Sequence, residues 1–118
     1  MLFRFALAAA LCAVTPALAD TKAYSVTELV ITNQDGFTQD FGPKVSAVIE
    51  KCGGRFIAAT NTVLAVKGEA PKARIVIVEY PSLKAAQACY GSEAYKALLP
   101  LRDKVATGPT YLVEGNAD

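Results

Sequence analysis

Histidine and tryptophan are missing from all 118 residues. Without His, Ser-His and Cys-His nucleophilic pairs, His-ligated haem and the common zinc sites are excluded. Cysteine is scarce, at Cys12, Cys52 and Cys89. The first falls in a leader read below as removed, and the remaining two are too few for a Cys-based metal site. The residues therefore point to no metal and no cofactor. Net charge is missing too. Once the leader and its Arg4 are gone, the twelve basic residues become eleven, equal to the eleven acidic ones. Lys and Glu are scattered, so the chain offers no electrostatic footprint for nucleic acid or an anionic membrane.

A long apolar run occurs once, at the start. Met1-Leu2-Phe3-Arg4 is a short positively charged opening, Phe5 to Val14 is unbroken apolar, and Pro16 precedes the small-residue triplet Ala17-Leu18-Ala19. Charge, apolar core and A-x-A site in that order describe a secretory signal peptide over residues 1–19. The run is shorter than the roughly 20 residues that cross a bilayer. Cys12 follows Leu11, where a lipid-anchor site needs a small residue. We expect cleavage before Asp20 and an exported domain over residues 20–118 with no membrane contact. It would be periplasmic where the host has an outer membrane and secreted otherwise.

Along that domain the hydrophobic period changes several times. Ala23 to Ile31 alternates like a strand, and Asn33-Gln34-Asp35-Gly36 is a turn with Asp35 as the expected N-cap. Phe37, Phe41, Val45, Val48, Ile49 and Cys52 form one helical stripe, offset or kinked by Pro43. At Gly53-Gly54 one glycine is expected in the left-handed cap and the other at a close entry into the next strand. Strands follow at Arg55–Thr60 and Arg74–Tyr80, with a short edge strand expected at Val63–Lys67. Pro81 breaks the chain, Ser82 caps a helix to about Tyr90, and Ser92 caps a further segment interrupted by Pro100. Gly108-Pro109 stops it, and Thr110 to Glu114 is the last strand.

The order β-α-β-β-α-β is the split βαβ arrangement of a ferredoxin-like α+β domain, one antiparallel sheet with both helices on one face. Such a sheet should carry a polar bare face. Here Ile75-Val76-Ile77-Val78 is apolar on both sides, and Val26 and Val30 oppose Leu29 and Ile31. A domain of this length has no further element to cover the second face, so a second copy is expected on it, against the alternative of a monomer with an apolar surface.

Lys22-Ala23-Tyr24, Gly53-Gly54-Arg55-Phe56, Arg74, Glu79-Tyr80-Pro81-Ser82, Tyr90-x-Ser92-x-x-Tyr95, Arg102 and Val113-Glu114-Gly115 occur in this order and spacing. On these residues the chain resembles, along nearly the whole mature length, a bacterial domain-of-unknown-function family numbered thirteen-thirty. The resemblance implies a dimeric α/β barrel, in a superfamily that includes cofactor-free monooxygenases, small-molecule isomerases and haem enzymes. Cys52 stands where an aromatic is usual in that family, and Cys89 likewise in the second helix. Lys67 and Ala70 replace an acidic and an aromatic residue in the loop before the third strand.

The polar positions Tyr24, Arg55, Arg74, Glu79, Tyr90, Tyr95 and Arg102 are the candidates for a ligand site. In the functional reading they orient a small polar-aromatic ligand in a pocket between helices and sheet. In the structural reading ordinary caps and ion pairs account for most of them. Two function classes follow. One is a homodimer that binds a small molecule. The other is a cofactor-free enzyme, monooxygenase- or isomerase-like, acting on a small aromatic or polar substrate with Tyr or Glu as acid or base. Perturbed titration of a buried Glu79 would favour the enzyme, and a pocket without titratable lining would favour the binder.

Cys52 and Cys89 are expected to remain unpaired. Counting strands and helices up and down the sheet puts Cys52 at the bottom of the first helix and Cys89 two turns above the start of the second. At about 1.5 Å per residue that separates them by roughly 10 Å, beyond the Cα separation of about 7 Å that a disulfide spans.

Overall fold

The computed structural model describes residues 21–117, and the segment read as a signal peptide lies outside the described residues. Chain order is β1 (Ala23–Ile31), α1 (Gln34–Gly36), a π-helical turn (Phe37–Phe41), α2 (Gly42–Lys51), β2 (Arg55–Thr60) and β3 (Arg74–Tyr80). Then come α3 (Leu83–Tyr90), α4 (Glu93–Lys96), α5 (Leu99–Val105), β4 (Ala106–Thr107) and β5 (Thr110–Glu114). The sheet is antiparallel, in the order β2-β3-β1, with β5 and the two-residue β4 sharing the other edge of β1. This is the ferredoxin-like α+β arrangement.

Local chemistry explains most boundaries. The Ser82 hydroxyl accepts from the Ala85 amide at 3.0 Å and Ser92 from Tyr95 at 3.2 Å, each satisfying an orphan donor of a first turn. Gly53 adopts φ +88, and at Gly54 a Cβ would stand 2.7 Å from Ile49 Cγ2 and 2.9 Å from Val78 Cγ1. The two glycines thus take the cap and close-entry roles expected of them. Gly108, at φ +114, lies so close to β1 that a Cβ would strike the Glu28 carbonyl oxygen. That contact seats the α5–β5 connection against the end of β1.

Three expectations are corrected. Asn33, not Asp35, caps the first helical turn, its side-chain oxygen accepting from Gly36 N at 3.0 Å. Residues 63–67 form no strand. They are loop, with Leu64 84% and Val66 102% exposed. Most consequentially, Cys52 and Cys89 are joined by a disulfide, their Cα atoms 5.6 Å apart. The expected separation treated helix rise as height above the strand ends. Instead α3 packs on β1 and β5 as well as β3, so rise along it is not simply height along the strands. The π-turn adds a residue before Gly42 and resets the phase of α2. Cys89 ends beside the Tyr80 hydroxyl, whose oxygen lies 3.8 Å from its sulfur.

The core lies wholly on the helix side. One cluster packs Ile49, Val78, Tyr80, Ala86 and Cys89, and a second packs Leu29, Phe41, Val105 and Ala106. The opposite face carries Tyr24, Val26, Glu28 and Val30 from β1, Ile75, Ile77 and Glu79 from β3, and Tyr111 and Val113 from β5, by strand alternation. No described element covers it, and Val30, Tyr111 and Val113 are 44%, 44% and 46% exposed.

Candidate functional site

Between the two core clusters the helices stand off from the sheet and leave a cavity of about 280 Å³. Its floor is the helix-facing row of the strands: Thr27 and Leu29 of β1, Phe56 and Ala59 of β2, Arg74, Val76 and Val78 of β3, and Thr110 of β5. The π-turn contributes Phe37 and Phe41, and α2 contributes Val45, Ser46 and Ile49. Tyr90, Tyr95 and Arg102 close the side formed by the last three helices. The wide π-turn carries two phenylalanines onto the cavity side within five residues, their rings 5.8 Å apart.

Of the seven polar candidates, four line this cavity: Arg74, Tyr90, Tyr95 and Arg102. Tyr24, Arg55 and Glu79 do not. They lie on the opposite face, where Arg55 Nη2 meets Glu79 Oε1 at 3.0 Å and Lys22 Nζ meets the same oxygen at 3.7 Å. The Arg55 hydrogen bond, helped by the charges of Lys22 and Arg55, holds the Glu79 carboxyl below its ordinary range against an opposing desolvation. Glu79 is therefore an ion-pair anchor outside the cavity. The net effect lowers its affinity for a proton, the reverse of what a general acid or base at neutral pH needs. Thr27, Thr110, Ser46 and the three phenylalanines are lining residues that the sequence reading missed. Strand parity places Thr27 on the row of Ser25 and Leu29, so that signal was present.

The two cavity tyrosines differ. The Tyr90 hydroxyl accepts from Tyr80 at 3.0 Å and donates to the buried Ser25 Oγ at 2.8 Å. Its polar end is used up, and it presents a ring. The Tyr95 hydroxyl has no hydrogen-bond partner among the described residues, and its ring stands edge-on to Tyr90 with centroids 4.8 Å apart. Desolvation raises the Tyr95 pKa above its ordinary value, with the Arg102 charge pulling the other way. At neutral pH it is a phenol, able to donate a hydrogen bond to a guest. Thr27 and Thr110 hydroxyls bond each other at 2.8 Å across β1 and β5. The site can thus bind an apolar body, stack it on aromatic rings and offer a few donors. Among the described residues no group of three or more His, Cys, Asp or Glu is placed to hold a metal.

A family profile described as a domain of unknown function, DUF1330, matches residues 22–116. No curated protein matches the chain. Among solved structures, the chain is similar to a protein of unknown function from Rhodopseudomonas palustris, with 16% identity and TM-score 0.61 over 80% of this chain and 81% of that one. It is also similar to SnoaB, a cofactor-independent oxygenase from Streptomyces nogalater, with 11% identity and TM-score 0.60 over 83% and 96%. HapK from Hahella chejuensis is similar at 12% identity and TM-score 0.58 over 81% and 94%. At these identities the likeness is one of fold.

Proposed function

The chain belongs to the DUF1330 family, and we propose that it is an exported homodimer that binds a small molecule in the cavity between helices and sheet. The observation that carries this reading is the cavity itself. It is close to the lower end of the size range of ligand pockets, about 300 Å³, its walls are mostly aromatic and aliphatic, and among the described residues no carboxylate lines it. The same lack of a carboxylate weighs against the enzyme reading. The disulfide supports export, because structural disulfides persist in oxidising compartments. The bare apolar face supports the dimer, since large exposed apolar patches on soluble domains mark interfaces. No helix among the described residues is long and apolar enough to cross a membrane.

Native mass spectrometry of protein recovered from the exporting host tests the binding reading. A bound mass that disappears on denaturation is expected, on a dimer whose subunits begin at Asp20 or within two residues of it. Empty protein, at every concentration and from every growth condition, would refute it. The second reading, a cofactor-free enzyme, is favoured by the Tyr95 phenol, which stands free beside Arg102 as a proton donor. Turnover of the co-purifying molecule by pure protein, lost in Tyr95→Phe, would establish it.

A further inference from the structure

We propose that the ligand of this cavity is an apolar monoanion, a carboxylate on an aromatic or alkyl body, held by Arg102 with Arg74 as a second positive charge at the same end of the cavity. The inference rests on the binding reading above and adds the ligand's charge and polarity.

Cations and anions are unevenly distributed between the two sides of the sheet. On the open face Arg55 has a carboxylate partner in Glu79. Arg74 and Arg102 line the cavity, and among the described residues neither has a carboxylate within ion-pair distance. Each spends one Nη2 donor on a backbone carbonyl, Arg74 on Ala59 at 3.0 Å and Arg102 on Gly108 at 2.9 Å. Those bonds orient the guanidinium groups and leave most of their donors free. A neutral guest would leave both charges without a counter-ion, and a cationic guest would be repelled.

The two anchors lie at one end of the cavity. Arg74 pairs with Leu29 near the end of β1. Gly108, which holds Arg102, packs on the Glu28–Leu29 backbone from the other side of the same strand. The Arg74 guanidinium is held on Ala59 of β2, on the far side of β3 from β1, so at about 4.8 Å per strand the Ala59 and Gly108 anchors stand on the order of 14 Å apart. At that spacing one carboxylate pairs directly with one guanidinium, and Arg102 is the one with a second donor beside it. Tyr95 adds a neutral donor close to Arg102. The far end offers Val78, Ile49 and the Tyr90 ring, whose hydroxyl is already committed. One end of the cavity is thus built for a single negative charge and the other for a hydrocarbon.

The test uses the mature oxidised protein and three acids with their primary amides: 2-naphthoate, 4-phenylbutyrate and octanoate, by isothermal titration at low salt. Each acid that binds should do so at least about tenfold tighter than its amide, the margin of a charge-assisted over a neutral hydrogen bond. Arg102→Gln should shrink that preference most and Arg74→Gln less, and Arg102→Lys should keep part of it as a point charge. Amides binding as tightly as acids would overturn the charge inference and leave the binding reading standing. No heat from any of the six, with protein that native mass spectrometry finds empty, would overturn both. The wild-type comparison decides between acid and amide even if a variant fails to fold.

Discussion

On its helix side the sheet presents Ser25, Leu29, Val78 and Tyr80, all buried, and above them the helices, with the end of α2 cross-linked to α3 by Cys52–Cys89. On its other side the same strands present Val26, Val30, Ile75, Ile77 and Val113, interrupted by the Lys22–Glu79–Arg55 cluster and by Tyr111 donating to Glu28 at 2.8 Å. Both rows are apolar enough to be cores, yet the chain closes only one. The closed side holds a cavity whose two arginines have no carboxylate partner among the described residues. The open side pairs its charges internally and leaves hydrocarbon bare. A face meant for water would do the reverse, with solvated charges and little hydrocarbon. The proposed function accounts for both: a guest would occupy the closed side and another copy would cover the open one.

The largest expected effect breaks the closed side. The disulfide closes a loop with a sequence separation of 37, and loop-closure entropy puts its contribution at about 4 kcal/mol. Cys52→Ala with Cys89→Ala should lower the unfolding midpoint by that order in denaturant titration. Thiol counting in denaturant without reductant should find none in the mature chain. Two free thiols would restore the upright geometry in which the helices stand parallel to the strands.

Next comes the open side. Ile77 pairs with Val26 on one neighbour strand and Ala58 on the other, so it sits at the centre of the bare face. Ile77→Asp should leave the monomer folded and weaken dimerisation by about 3 kcal/mol, more than a hundredfold, because an unpaired charge would be buried at the interface. Light scattering at micromolar concentration should report twice the mature mass for the wild type and one mass for the variant. A monomeric wild type would leave the open face unexplained and the comparison broken.

A smaller effect probes the polar seam of the closed side. Tyr90→Phe removes the donor to Ser25 and the acceptor from Tyr80. With Ser25 buried, the loss should be about 1–2 kcal/mol, read as a lower thermal midpoint with the fold intact by circular dichroism.

How much of this was legible in the sequence differs by length scale. Boundaries set by one residue's chemistry were readable: Ser82 and Ser92 as caps, Gly53 and Gly54 at the end of α2, Gly108-Pro109 as a stop. The site was half readable. Arg74 and Glu79 are five apart on one strand, so alternation alone puts them on opposite faces. Grouping all seven polar positions into one pocket ignored that parity. What sequence could not supply was helix direction. The disulfide depends on how α3 packs on the sheet and on the π-turn ahead of α2, and both are set by packing among side chains distant in the chain. The stretch at Val63–Lys67 misled for a related reason. Alternation there has no neighbouring strand to pair with, so its apolar residues stay in solvent.

The smallest effect concerns the ion cluster that breaks up the open face, and it sharpens the comparison because the dimer should amplify it. The carboxyl of Glu79 is held below its ordinary value of 4.5, first by the Arg55 hydrogen bond. A carboxylate whose folded pKa lies below its unfolded one stabilises the fold above the unfolded value, and that contribution disappears as pH falls through the folded value. Glu79→Gln should therefore cost stability at neutral pH. The gap between variant and wild type should close as the pH drops below 4.5 into the range where Glu79 itself protonates. In the monomer the cluster stays hydrated and the gap should be slight. In the dimer, where Ile77 and its neighbours lose water, the same pairs sit in a poorer dielectric, and the gap should widen with protein concentration. Thermal melts of both proteins across pH, at low and high concentration, measure it. A gap that ignores concentration would place the cluster outside the interface and confine the dimer contact to the Val26, Val30 and Tyr111 side of the sheet.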